Sequence, residues 1–419
     1  MKKRCTSLLL TIVLVFSTFT SVLAAETQPS IYGKAAITID VDTKEIIYAK
    51  SIDSTMYPAS TTKLLTALLL AEKFNKGDAL NYTPSAKTQP EYSLNVNLHS
   101  IDVGETMSAE DVMDGLLLYS GNDIAYMIAD NVSGSSKAFS DAMNNKIKSL
   151  GLKNTNFITP NGLHDNNHYT TAYDLTVIGR EAFKNPWVKE SSGKKTSTIK
   201  TSKGTTFIIE NRNKQLGSIG NIGGKTGYTS KAGRCLVAMF ERDGRKIIGV
   251  VLNSVYDAED SFVFSDMEKI INWSFDAKKS PLHSKDTSMG KEKLSYKPLL
   301  FFGPTKEIEV PLTLKEDISY YENEVNKKEI KEEIKLNKIN PWKLKEDTPV
   351  GTLILKEREA TKEYNLYTNI SKASLIKSNI LLYIASFIGL ILILLLIVFI
   401  IRIISRGGGR GRKRKSKYI

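Results

Sequence analysis

The amino-acid sequence predicts an α+β fold: an antiparallel sheet with helices, followed by a small all-β domain and one C-terminal transmembrane helix. Three observations lead to it. Strand-like segments lie at both ends of residues 34–277, with helical segments between them. Short alternating runs without helical period follow. Last, residues 380–401 are apolar apart from Ser386, with Tyr383 near the start. That length suits a bilayer span, which needs ~20 residues.

The elements follow in order. Ala35-Ala-Ile-Thr-Ile-Asp and Glu45-Ile-Ile-Tyr-Ala, joined through Val41-Asp-Thr-Lys, read as a hairpin. Ser60-Thr-Thr-Lys63, after Pro58-Ala59, opens an apolar helix that runs to Lys73. Ser108-Ala-Glu-Asp111 and Thr171-Ala-Tyr-Asp174 resemble capping boxes, each ahead of apolar residues at helical spacing. Residues 139–150 form a further helix, ended by Gly151. Leu236-Val-Ala-Met-Phe and Lys246-Ile-Ile-Gly-Val-Val-Leu flank Asp243-Gly244, a strong hairpin turn. Strands at the ends and helices between them bring the first and last strands into one sheet.

Beyond residue 278 the character changes. A polar, Lys-rich stretch predicts a linker over 279–292. Glu307-Ile-Glu-Val-Pro-Leu-Thr-Leu, Ile318-Ser-Tyr-Tyr, Gly351-Thr-Leu-Ile-Leu and Tyr364-Asn-Leu-Tyr predict a small β domain over 293–372. The Lys/Glu run 326–335 reads as a solvated face. At the other end, residues 1–24 carry Lys2, Lys3 and Arg4, then an apolar stretch closing on small residues, the pattern of a secretory signal.

Charge supports that topology. Across 419 residues, 58 Lys+Arg against 45 Asp+Glu give a net +13, which by itself suggests a polyanionic partner. Three of the positive residues precede residue 25, and Arg402, Arg406, Arg410, Arg412, Lys413, Arg414, Lys415 and Lys417 follow the span. Neither end contains an acid, so the body between them is nearly neutral and no nucleic-acid partner is expected. A stop-transfer cluster explains the tail better than an RNA-binding one. The Lys/Arg excess places the C-terminus, 402–419, in the cytoplasm and residues 25–278 outside, on a single-pass membrane protein. Cys5 lies in the signal, leaving Cys235 alone and no internal disulfide.

The chemistry centres on Ser60 and Lys63. At i and i+3 on a first helical turn the two side chains share a face, and a buried lysine losing solvation can act as base toward the hydroxyl. The spacing alone is weak: Ser191/Lys194, Ser192/Lys195, Ser197/Lys200, Ser288/Lys291 and Ser374/Lys377 repeat it. Two further elements add weight. Ser120-Gly-Asn122 puts a hydroxyl and an amide on a turn between helices, and Ser93-Leu-Asn95 duplicates it only in a loop-like stretch. Lys225-Thr-Gly227, after Gly223-Gly224, sets a cation and a hydroxyl beside glycines that let a substrate backbone approach a strand edge.

In that order the three motifs resemble those of penicillin-binding proteins and class A β-lactamases. Tyr57-Pro-Ala-Ser-Thr-Thr-Lys-Leu-Leu-Thr66, Leu117-Leu-Tyr-Ser-Gly-Asn-Asp-Ile-Ala125, Phe157-Ile-Thr-Pro-Asn-Gly-Leu163 and Gly224-Lys-Thr-Gly-Tyr-Thr-Ser-Lys-Ala-Gly233 narrow the likeness to low-molecular-mass D-alanyl-D-alanine carboxypeptidases. The resemblance implies a β-lactamase/transpeptidase-like fold over 25–278. It implies that Ser60 attacks the peptidoglycan stem peptide between its terminal D-alanines, Lys63 takes the proton, and Ser120, held by Lys63 on one side and Lys225 on the other, relays one to the leaving amine. Asn122 would hold the substrate amide, Lys225, Thr226 and Gly227 the carboxylate end, and the backbone N–H groups of Ser60 and Tyr228 the oxyanion. β-Lactams would be covalent inhibitors, and no metal or organic cofactor would be required.

One departure stands out. Many relatives carry a carboxylate-binding arginine before the last helix, where this chain has Ser261-Phe-Val-Phe264, leaving Lys231 or Arg234 as substitutes. Two rival functions remain open. A β-lactamase would need a carboxylate to activate water, and Glu181-Ala-Phe-Lys-Asn185 superficially fits. A non-catalytic penicillin-binding sensor would not need the intact triplet. His164-Asp-Asn-Asn-His168 has zinc-helix spacing but reads as a loop, so no metal is expected.

Overall fold

The computed structural model describes residues 28–259, 261–345 and 347–407. The expected signal with Cys5, and the tail beyond residue 407, lie outside the described residues. The described chain divides into two compact units. One comprises the residues up to Ser280 with Tyr320–Glu329 and Glu357–Ala360, and the other holds the rest.

The first unit is built on a five-stranded antiparallel sheet. Its strands are β1 (Ala35–Asp40), β2 (Ile46–Lys50), β5 (Asn221–Thr229), β6 (Gly233–Arg242) and β7 (Arg245–Ser254), in the spatial order β2-β1-β7-β6-β5. β3 (Thr196–Lys200) and β4 (Thr206–Glu210) form a separate hairpin. The first and last strands of the sheet pair as expected, Ala35 opposite Leu252 and Asp40 opposite Ile247. The β6–β7 turn is tight because Asp243 and Gly244 both take positive φ, 49° and 80°.

Helices cover both faces of the sheet, so its strands read as continuous apolar runs. Along β6, Val237 and Met239 enter one core while Leu236, Ala238 and Phe240 enter the other, the two-residue alternation of a strand. One face carries α1 (Lys63–Lys73) and α5 (Ala172–Lys184), and the other carries α7 (Ser261–Asp276). Residues 64–70 of α1 are buried without a break, as befits a helix apolar on all sides. β5 is an edge strand, so alternate backbone groups along it are open to an extended peptide.

Some boundaries differ from expectation. The helix expected over 139–150 is α4 (Ser136–Ser149), which starts a turn earlier because the Ser135 hydroxyl accepts from the Ala138 amide. Its first turn is polar, so hydrophobic spacing does not reveal it. α2 (Ala109–Asp114) runs on into a wider π turn over Gly115–Tyr119, and α3 (Asn122–Ser133) starts two residues later.

The second unit centres on another antiparallel sheet: β8 (Ser288–Tyr296), β9 (Lys306–Leu314), β10 (Lys331–Leu336), β11 (Gly351–Lys356) and β12 (Thr361–Tyr367), ordered β8-β9-β12-β11-β10. Leu312, Leu314, Leu353, Leu355 and Leu366 form its core. The linker expected over 279–292 is instead largely strand, at Ser280–His283 and in β8. Its lysines point into solvent from an outer strand, which a polar composition does not distinguish from coil. β10, exposed along its whole length, forms the other edge, and its Lys and Glu side chains guard it against pairing with other chains. α8 (Ile380–Gly407) contains a stretch, Ile380–Arg406, long and apolar enough to cross a membrane.

Candidate active site

Ser60 lies on a single 3-10 turn, Ala59–Thr62, ahead of α1. The turn is fastened by its own threonines: Thr61 Oγ1 donates to the Pro58 carbonyl at 2.7 Å and Thr62 Oγ1 to the Ala59 carbonyl at 2.9 Å. Lys63, the first residue of α1, is fully buried and reaches back to Ser60 Oγ at 2.9 Å. Its Nζ also donates to Asn122 Oδ1 at 2.9 Å and to the Asn161 carbonyl at 2.8 Å.

Two supports of this turn, His168 and Gly162, were given no such role by the sequence. His168 Nδ1 accepts from the Ile158 and Thr159 amides at 3.0 and 3.1 Å, so the proton sits on Nε2, which donates to Thr62 Oγ1 at 2.9 Å. Burial lowers the His168 pKa to about 3, keeping the ring neutral. Both His168 ring nitrogens are thus engaged by protein, and His164 stands edge-on to Tyr57. Gly162 has φ 80°, and a Cβ there would lie 1.9 Å from the Ala59 carbonyl oxygen. Only glycine lets this loop bring the Asn161 carbonyl to Lys63.

The second motif sits where the π turn ends. Ser120 has a left-handed φ of 73°, and Asn122 opens α3. Asn122 Nδ2 donates to the Glu91 carbonyl at 2.8 Å, which fixes the amide with its oxygen toward Lys63. The next residue, Asp123, is fully buried and accepts from the amides of Leu94 and Asn95 and from the Tyr82 hydroxyl. That explains Ser93-Leu-Asn95: it is a short helical segment tied to the Asp123 carboxylate, not a second site.

Lys225, Thr226 and Gly227 lie on the edge strand β5. A Cβ at Gly227 would stand 2.9 Å from the Ser60 amide nitrogen and 3.1 Å from the Pro58 carbonyl oxygen. The glycine therefore makes room for the nucleophile's own turn, where the sequence suggested room for substrate. Lys225 is buried and donates to the Thr226 carbonyl at 3.0 Å. Ser60 Oγ, Asn122 Oδ1 and the Asn161 carbonyl take all three hydrogen-bond positions around Lys63 Nζ. The clasp of Ser120 between two lysines, expected from the resemblance, is thus not the arrangement these bonds make.

Charge in the cleft is one-sided. Burial, followed by repulsion from Lys225 and Arg212, outweighs the pull of Asp123 and holds the Lys63 pKa well below the ordinary lysine value. Burial and then Arg212 lower Lys225 to about 7. Arg212, which sequence reasoning missed, packs between Tyr92 and Tyr119, its guanidinium 4.9 Å from each ring centre. It sits in a polar loop after β4, where nothing local distinguishes it from a surface arginine.

Ser60, Ser120, Asn122, Thr226, Gly227 and Tyr228 line one cleft of about 550 Å³, with Lys63 and Lys225 buried behind them. Of the two candidates for the absent arginine, Arg234 lines the cleft, stacked on Tyr228 and Tyr256 at 4.4 and 4.8 Å. Glu181, the carboxylate a β-lactamase reading would use, is instead paired with Lys184 at 2.8 Å on α5.

A serine held against an uncharged-partnered lysine, beside a Ser-Gly-Asn turn and a Lys-Thr-Gly edge strand, defines a serine hydrolase of the penicillin-binding class on a transpeptidase-like fold. The chain belongs to the D-alanyl-D-alanine carboxypeptidase family, peptidase S11, whose family model matches residues 23–255. It is 29% identical over 328 residues to the D-alanyl-D-alanine carboxypeptidase DacF of Bacillus subtilis, covering 78% of this chain and 82% of that one. The Streptomyces K15 DD-transpeptidase shares 30% identity with it at a TM-score of 0.54, over 60% of this chain and 100% of that one. Penicillin-binding protein D2 of Listeria monocytogenes, in its ampicillin-bound form, shares 29% identity at a TM-score of 0.52, over 59% of this chain and 100% of that one. The chain is accordingly a serine-type carboxypeptidase that removes the C-terminal D-alanine of peptidoglycan stem peptides.

Proposed function

We propose that Ser60, Lys63 and Ser120 carry this reaction and that the rest of the cleft reads the substrate's free C-terminus. Ser60 Oγ bonds to the carbonyl carbon between the two D-alanines as neutral Lys63 takes its proton. The carbon–nitrogen bond breaks, Ser120 relays a proton to the leaving amine, and D-alanine departs. Water then hydrolyses the ester. The N–H groups of Ser60 and Tyr228 receive the oxyanion, an effect worth about 3–4 kcal/mol per donor. Asn122 holds the peptide amide, while Lys225 and Thr226, with Gly227 beside them and Arg234 at the mouth, receive the carboxylate. β-Lactams occupy the same place and acylate Ser60.

One observation carries the reading: Lys63 is fully buried, 2.9 Å from Ser60 Oγ, with three uncharged hydrogen-bond partners. A lysine so placed is a base rather than a counter-ion. The layout we propose is a signal over 1–24, the catalytic body outside, a span over 380–401 and a cytoplasmic basic tail. The test uses a pentapeptide ending in D-Ala-D-Ala and labelled penicillin, beside a Ser60→Ala control. D-alanine release and a long-lived penicillin adduct, both lost in the variant, are expected. Rapid penicillin turnover would instead indicate a β-lactamase, and labelling without D-alanine release a sensor.

A further inference from the structure

The loop after β8 presents three large apolar side chains in a row to solvent: Leu300, Phe301 and Phe302 are 58%, 80% and 76% exposed. Their backbone closes on itself. Leu300 has φ 63°, Gly303 has φ 88°, and the Phe301 amide donates to the Leu299 carbonyl at 2.7 Å. The turn is therefore formed, and its apolar tip has no partner among the described residues of its own unit.

Both shoulders of this loop are bonded to the first turn of α8 and the residue before it. Tyr383 Oη donates to the Pro298 carbonyl at 3.0 Å, and Asn379 Nδ2 donates to Tyr296 Oη at 2.7 Å. On the far shoulder Lys306 Nζ donates to Asn379 Oδ1 at 2.8 Å. Trp342 Nε1 also donates to the Lys297 carbonyl at 3.0 Å. The loop is thus fixed at the end of the helix nearest the β sheet.

Helix length says what lies at that height. From Tyr383 to Arg402 is roughly twenty residues, or about 30 Å at ~1.5 Å per residue. That equals the ~30 Å hydrocarbon thickness of a bilayer, bounded at one end by an aromatic and at the other by a cation. The loop bonded to Tyr383 therefore stands at the membrane–water boundary.

We propose that the Leu300-Phe301-Phe302 tip dips into the lipid bilayer beside α8, as a second contact between the β domain and the membrane; this rests on reading α8 as a span. Exposed Leu and Phe rings gain by leaving water, and the flanking Lys297 and Lys306 keep their charges at headgroup level. A helix alone leaves the domain free to swivel about the helix axis. A second lipid contact fixes its orientation.

The test uses the full chain in vesicles of phosphatidylethanolamine and phosphatidylglycerol. Nitroxide is attached at Phe301→Cys, with Leu392→Cys as the mid-span reference and Lys293→Cys on β8 as the water reference. Collision with oxygen, which concentrates in lipid, is compared with collision with a water-soluble nickel reagent. The position-301 label is expected to favour oxygen several-fold over the position-293 label, in the direction of position 392. Lipid-like collisions at 392 with water-like ones at 301 would overturn the inference and leave the span intact. Shielding of 301 from both reagents would overturn it in favour of a protein contact. Water-like collisions at 392 would remove the span and the inference together. Phe302→Cys repeats the reading if the 301 variant fails to fold.

Discussion

Two of the Ser-x-x-Lys pairs in the first unit are held by buried partners, with opposite results. Ser60 and Lys63 open α1, while Ser191 and Lys194 straddle the end of α6 (Pro186–Ser192). Lys194 donates to Asp114 Oδ2 at 2.8 Å, and Ser191 donates to Asp114 Oδ1 at 2.6 Å. Burial works against the Lys194 charge, but the Asp114 bond and the nearby acids outweigh it and raise its pKa. Lys63 meets an amide oxygen, a backbone carbonyl and a hydroxyl, with Lys225 and Arg212 nearby, and its pKa falls. Spacing brings a serine and a lysine together, and burial with the surrounding charges decides whether the lysine is a base or a counter-ion.

The comparison can be broken most severely at the base itself. Lys63→Met is expected to lower the rate of penicillin acylation by about 10²–10⁴-fold, the range for losing a general base. Lys194→Met should leave that rate unchanged, measured by stopped-flow labelling of the two variants. Making the first site resemble the second is the next largest step. Asn122→Asp puts a carboxylate 2.9 Å from Lys63 in place of an amide and should hold the proton on it. Acylation at neutral pH should drop by about 10²-fold, with the acid limb of the rate profile moved to higher pH.

Lys225 gives a smaller, graded effect. With a pKa of about 7 it carries charge below that pH and loses it above. KM for a free-acid D-Ala-D-Ala substrate should therefore rise as the pH passes 7 upward, by at most about tenfold per pH unit. A C-terminally amidated analogue should show no such rise. The same lysine has a stability signature. Its folded value lies below the unfolded 10.5, so the unfolded chain binds more protons between the two. The penalty is complete below about pH 7 and fades as the pH climbs toward 10.5. Lys225→Met should raise Tm more at pH 6 than at pH 10.

The smallest effect on activity is expected at the counter-ion site. Asp114→Asn removes the charge and turns one of the oxygens that accept from Ser191, Ser197 and Lys194 into a donor, and should cost about 2–4 kcal/mol of stability by denaturant titration. Acylation by the folded fraction should match the parent. A large loss of acylation there would show that the two sites are not independent.

Legibility in the sequence followed the range of the interactions. The two hairpins, the capped helices and the apolar C-terminal stretch each depend on neighbours a few residues apart, so periodicity and turn chemistry revealed them. The solvated strand β8 was not visible, because its burial pattern depends on which side of the sheet it joins. Within the cleft, the motif residues came from their order along the chain and from the resemblance that order carries. Arg212, His168, the Asn161 carbonyl and the need for glycine at 162 did not, because each acts on residues far away in sequence.

By itself, the sequence determined the α+β class, the order of the three motifs and hence the class of chemistry, since these follow from local pattern and resemblance. Tertiary structure alone decided which of the lysines in several Ser-x-x-Lys pairs has its charge disfavoured. That choice is electrostatic: it depends on how deeply a lysine is buried and what charges surround it, and the chain specifies those neighbours only after it has folded.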